Sequence, residues 1–177
     1  MRALLFATAL AIPGAALAVG TETDTPPTPT KTTTECTDGQ IWDEKTETCT
    51  APQESRLDDD TLYGAAREFA YAGQYQNTLN ALAAMSDPTE DRVLTYLGFA
   101  HRKLGDTERG MDFYRQALAV NPDNLLARSY MGMALAEEGD MVGARAELSQ
   151  IRARGGRDSW PAFALKSAIA KGPGEAY

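Results

Sequence analysis

A chain of 177 residues with 43% apolar and 24% charged side chains has the composition of one ordinary folded domain with a single core, and not of a wholly disordered chain. Its formal net charge is -8, with the acidic residues spread along the sequence, which argues against nucleic acid as the main partner because phosphates need a basic face. The same balance argues against an anionic membrane surface.

The first 18 residues have the pattern of a secretory signal. Arg2 supplies the positive start, Ala3 to Ile12 is apolar, Pro13-Gly14 breaks the run, and Ala16-Leu17-Ala18 presents a small-x-small cleavage pattern. The apolar run falls short of the roughly 20 residues a spanning helix needs. Cleavage is therefore expected after Ala18, giving an exported, periplasmic protein with no stable membrane insertion after processing. Residues 19–35 are rich in Thr and Pro and carry no large apolar side chain after Val19, so a disordered, extended tether is expected there.

Cys36 and Cys49 are the two cysteines of the chain. In an exported protein, two cysteines this close favour a disulfide over free thiols. Within the 36–49 loop, Gly39-Gln40-Ile41-Trp42 is β-prone, Asp43-Glu44-Lys45 is turn-prone, and Glu47-Thr48-Cys49 can return as a second strand. A disulfide closing such a loop contributes about 3 kcal/mol. Trp42 either shields the disulfide or forms a sugar- or partner-binding tip. The second alternative would make the protein a carbohydrate or cell-wall binder with the rest of the chain as a spacer. The arrangement is only weakly similar to chitin-binding peritrophin modules, which carry several more cysteines.

From Asp58 the texture becomes helical. Leu62, Ala65, Ala66 and Phe69 recur at helical spacing and stop at Gly73; Tyr75, Thr78, Leu79, Leu82 and Met85 repeat the pattern before Ser86-Asp87-Pro88. An offset of 34 residues superimposes Tyr96 on Tyr130, Gly98 on Gly132, Ala100 on Ala134 and Gly105-Asp106 on Gly139-Asp140. An offset of 32 puts Leu62 on Leu94, Ala66 on Gly98 and Gly73 on Gly105. Three helix pairs follow one another, over 59–90, 91–124 and 125–158. A last helix, 159–171, starts at Ser159 with Trp160-Pro161 and stops at Gly172-Pro173. As a cap on the 58–172 domain, it is expected to bury Trp160 and Phe163 as core anchors.

Leu94, Leu97-Gly98, Tyr114, Ala117 and Pro122 stand at the spacing of the tetratricopeptide-repeat family, which the chain resembles. Gly98 would let the paired helices approach, with Tyr114 beside it, and Ala117 would let the next pair pack. His101 and Gly110 depart from the family's pattern, and Gly156 stands where a proline is usual. The resemblance implies an all-α solenoid of three hairpins plus a capping helix, binding another protein or peptide along the inner face of the first helices. Carried over position by position, that face would expose Tyr63, Arg67, Arg92, Phe99, Arg102, Lys103 and Met133 as an aromatic and Met floor with a cationic patch. Family members that clamp a terminal carboxylate use Lys and Asn at positions here held by Tyr63, Arg67, Tyr96, Leu126 and Tyr130, so that ligand is not implied.

His101 is the one histidine, and its helical register places it among apolar neighbours rather than in a catalytic arrangement. No nucleophile turn, phosphate-cradling loop or metal-ligand spacing is visible. Asp58-Asp59-Asp60 lacks the alternation of a calcium loop and suits a helix start. The chain is expected to be no enzyme and to need neither cofactor nor metal. The sequence leaves its oligomeric state open.

Overall fold

The computed structural model describes residues 24–54 and 57–174. The signal pattern of residues 1–18 and the start of the tether lie outside the described residues.

Helices α2 (Asp59–Tyr71) and α3 (Tyr75–Ala83) form the first hairpin, α4 (Asp91–Lys103) and α5 (Thr107–Val120) the second, and α6 (Leu125–Glu137) and α7 (Met141–Ala153) the third. A final helix, α8 (Trp160–Lys171), packs on both α6 and α7. This is the all-α hairpin array expected from the repeat.

Local chemistry explains the boundaries. Asp58 caps α2 by accepting from the Thr61 amide at 2.9 Å, and Asp59 and Asp60 fill its first turn. The two Gly-Asp turns work as units. Gly105 and Gly139 hold φ of 95° and 90°, which ends one helix, and the following Asp106 and Asp140 cap the next. The first hairpin has Gly73-Gln74 at that place, and Gln74 gives α3 no side-chain cap. Its departure from the repeat pattern is thus also a loss of local stabilisation.

Gly98 does what its position demands. A Cβ there would meet Tyr114 Cε1 at 2.5 Å and the Gly110 carbonyl at 2.9 Å, so α4 and α5 touch backbone to backbone. Gly110 is equally constrained, its Cβ position lying 2.8 Å from the Gly98 carbonyl. At Gly132 the space is taken by Leu165 of α8. Leu94, Ala117 and Ala127 form the small cluster that joins the second hairpin to the third.

The disulfide joins Cys36 to Cys49 and closes an antiparallel pair, β1 (Ile41–Asp43) and β2 (Thr48–Thr50), with Trp42 opposite Cys49. Ile41 is fully buried in the same core as the first hairpin.

The tether departs from expectation. Residues 31–34 form a short helix, α1 (Lys31–Thr34), seated on α2. The cause is Glu68, which is buried on α2 and accepts from the Thr30 amide at 2.7 Å, the Thr30 hydroxyl at 2.7 Å, the Thr33 amide at 3.1 Å and the Thr33 hydroxyl. Thr32 is buried, and its hydroxyl accepts from the Trp42 amide at 3.2 Å. Polar Thr side chains, which cannot form an apolar core, are ordered here by one carboxylate that receives four donors. Replacing Glu68 with Ala is expected to lower stability by about 2 kcal/mol and to speed amide exchange over residues 30–34. Unchanged exchange there would show that the carboxylate does not hold the segment.

Candidate functional site

The inner face is built from the first helices of the pairs, and most of it is filled by the protein's own side chains. Phe99 is 7% exposed and Met133 0%, contrary to the expectation that both would be open in a groove. The Ser129 hydroxyl donates to the Pro161 carbonyl of α8 at 2.8 Å, and its oxygen lies 3.8 Å from the Met133 sulfur. The last helix therefore lies over this part of the face.

Phe99 is enclosed by rings from three helices: Tyr130 at 4.8 Å, Tyr75 at 6.1 Å and Tyr71 at 6.4 Å between centroids. Tyr71 reaches past α4 to share a 3.0 Å hydrogen bond between its hydroxyl and that of Tyr130, and its ring also lies 6.1 Å from Trp160. Aromatic pairing of this kind adds to the stabilisation from burial.

The cations form no open patch, because each is engaged. Tyr63 is buried with its edge toward Tyr96 at 5.7 Å and the Arg92 guanidinium 4.8 Å from its ring centre. Arg92 in turn bridges Asp60 at 2.7 Å and Glu90. Arg67 donates to the Tyr96 hydroxyl at 3.4 Å and to the Thr25 carbonyl of the N-terminal segment. Asp24 of that segment sits at the same end of the face, beside Tyr63 and Arg92. Its burial raises the carboxyl above its usual range, and the Arg67 charge opposes the rise.

The Arg102 side chain is 2% exposed and pairs with Glu137 across the second and third hairpins. Its Nε and Nη2 and the buried Tyr114 hydroxyl face one another without reaching hydrogen-bond geometry. Burial pushes the Tyr114 phenol up to about 12, although the neighbouring Arg102 charge pulls the other way.

The openings that remain on this face among the described residues include one beside Asp24, Tyr63 and Arg92, and a cavity of about 170 Å³ lined by Ala70, Tyr71, Tyr75, Phe99, Lys103 and Tyr130. Five of its six lining residues present an aromatic ring or a methyl group, and the sixth is an ammonium. Lys103 lies over the Phe99 ring at 5.9 Å, and burial together with the Arg102 charge lowers its pKa. The cavity can receive one apolar side chain and place an acidic group against Lys103. Of the predicted residues, Phe99 and Lys103 meet here, while Tyr63, Arg67 and Arg92 gather at the other end beside Asp24. Arg102 and Met133 line neither opening. Tyr75 and Tyr130 were not among the expected site residues. The identity of Tyr96 with Tyr130 at the repeat offset was a signal for the second; Tyr75 opens a second helix and had none.

His101 is half-buried, stacked on Phe113 at 5.4 Å. Desolvation, helped by Arg109 and opposed by Asp106, lowers its pKa from the ordinary 6.5. Since the folded state binds this proton less readily than the unfolded chain, stability should fall as pH drops through 6.5 toward the folded value, then level off. NMR of this lone imidazole should titrate below 6.5, and Arg109→Ala should raise its midpoint. A midpoint at or above 6.5 would contradict this environment.

Among the described residues, no group of three His, Cys, Asp or Glu side chains is placed to hold a metal ion, and no helix is long and apolar enough to cross a membrane.

Comparison with known proteins gives the same architecture. The tetratricopeptide-repeat family model matches residues 101–171. A photosystem I assembly protein Ycf3 of Acaryochloris marina is 32% identical over 81 residues, 45% of this chain and 49% of that protein. The Ycf3 of Cyanophora paradoxa is 35% identical over 94 residues, 49% of this chain and 54% of that protein. A probable biofilm formation methyltransferase WspC of Pseudomonas putida is 35% identical over 72 residues, 41% of this chain but 17% of that protein. The chain thus spans about half the length of the two Ycf3 relatives it matches. No solved structure matches. With three stacked helical hairpins and the glycine-tyrosine contact at their centre, this chain resembles the tetratricopeptide-repeat family, whose model matches it over residues 101–171.

Proposed function

We propose that this protein is a non-catalytic interaction module of the cell envelope, an assembly factor or adaptor that holds a peptide segment of a partner protein on its inner face. The observation that carries the proposal is the aromatic cavity at Phe99. It is an apolar opening on a face largely filled by the protein's own side chains, and Lys103 supplies one charge to orient a guest. The assembly role of the Ycf3 relatives, by their names, supports the same class of function. Export is supported by the signal pattern of residues 1–18 and by the disulfide, which persists in oxidising compartments.

The carbohydrate alternative gains nothing from the hairpin. The Lys31 ammonium lies 4.1 Å from the centre of the Trp42 ring, so one face of the ring is already covered. Trp42 is itself half-buried.

The test uses mature protein purified from a periplasmic fraction as bait in an envelope extract. Tyr75→Ala combined with Lys103→Glu is expected to abolish capture of one discrete protein, while Trp42→Ala leaves it intact. Equal capture by all three baits would remove the cavity from consideration. Recovery of the protein only from the cytoplasm, with residues 1–18 intact, would remove the envelope.

A further inference from the structure

A second surface, at the far end of the array from the disulfide hairpin, has the features of a docking site. Phe163 of α8 is 67% exposed, although its helical position led us to expect a core anchor. Its register explains why this matters. Phe163 stands 34 residues after Ser129, which stands 34 after Thr95, which stands 32 after Tyr63. Those three are 0%, 1% and 5% exposed. Each is covered by the start of the next element in the stack: Tyr63 by Tyr96 and Arg92 of α4, Thr95 by Asn124, the cap of α6, whose amide donates to its hydroxyl at 3.0 Å, and Ser129 by the Pro161 carbonyl of α8. Phe163 occupies the position that the next element of a stack would cover, and among the described residues none does.

The charges around it give the chemistry of the occupant. Phe163 shares a cleft of about 420 Å³ with Arg152, Arg157, Lys166 and one acid, Asp158. All four charged side chains are exposed, and no ion pair engages them among the described residues. Elsewhere in this chain of net charge -8, Arg92, Arg102, Arg115, Arg128 and Arg154 each pair with a carboxylate. An exposed aromatic ring ringed by unpaired guanidinium and ammonium groups is the composition of an interface centre with a charged rim.

We infer that α8 and the loop before it dock an acidic segment of a partner protein, which seats an apolar side chain on Phe163 and sets carboxylates against Arg152, Arg157 and Lys166. The segment takes the place in the stack that a following helix would take. This site is separate from the cavity at Phe99, so it can be tested independently of it.

The experiment follows amide NMR shifts of the mature full chain during titration with a synthetic amphipathic peptide of Leu and Glu, and with its Leu and Lys counterpart. The acidic peptide is expected to shift resonances within 152–166 and to weaken with added salt. Phe163→Ser, and separately Arg152→Glu with Arg157→Glu, should each weaken it by about tenfold or more, a loss of at least 1.4 kcal/mol. All of these positions are exposed, and unchanged far-UV circular dichroism verifies that the variants fold. The proposal is overturned if the basic peptide binds as well, if the shifts fall on the Phe99 cavity instead, or if no shift occurs at millimolar peptide. It is also overturned if sedimentation shows self-association that Phe163→Ser abolishes, for then a second copy is the occupant.

Discussion

Tyr130→Ala is expected to destabilise the array by about 4 kcal/mol in urea unfolding. Tyr130 is 1% exposed, and its ring lies within 6.4 Å of those of Tyr96, Phe99 and Tyr114. Removing it opens a void at the junction of the second and third hairpins, where helices of both pairs limit collapse. The hydroxyl can be separated from the ring. Tyr130→Phe keeps the ring and loses the hydroxyl's interactions with Tyr71 and Tyr96, and should cost about 1 kcal/mol. If both variants cost the same small amount, the aromatic cluster is not what joins the hairpins.

The second large effect concerns Glu137. It is the partner of Arg102, whose side chain is almost wholly buried between the hairpins. Glu137→Ala strands that cation in a low-dielectric site with two of its nitrogens already without hydrogen bonds, at a cost of about 3 kcal/mol or more. Replacing both residues with Met should recover most of the loss, because the desolvation of the pair disappears with its attraction. A double variant as unstable as Glu137→Ala would mean that the site needs the charges themselves.

Much of the architecture was legible before any coordinates. The 34-residue offset located the second and third hairpins because both repeat the same local solutions, a glycine at close approach and a glycine-aspartate turn. Gly98 beside Tyr114 followed from sequence because contact within a pair is set by side-chain size alone. The inner face was harder. Whether Phe99 and Met133 are exposed depends on how tightly successive pairs curve, and a repeat read one copy at a time does not contain that angle. Tyr71 reaching to Tyr130 and Trp160, over 59 and 89 residues of chain respectively, is a product of that curvature. Composition misled in two places. The Thr-rich segment looked unable to order, because one glutamate on a helix two turns long or more resembles any solvated acid until four donors converge on it. Phe163 looked like core because apolar side chains at helical spacing are usually buried, and α8 is apolar on more than one side.

The paired cations carry a related lesson. Arg67, Arg92 and Arg102 were grouped by position on one helical face, yet each is met by a different neighbour, and among the described residues Lys103 is the charge that borders the Phe99 cavity. Position on a face fixes where a side chain starts; its partners decide where the charge is spent.

The most direct measurement places a photo-crosslinking residue at Tyr75, beside the cavity, or at Val142, 83% exposed on α7 and away from it. After irradiation of intact cells, position 75 should yield one discrete adduct with a partner polypeptide and position 142 none. Adducts at 142 without any at 75 would contradict a guest held at the Phe99 cavity.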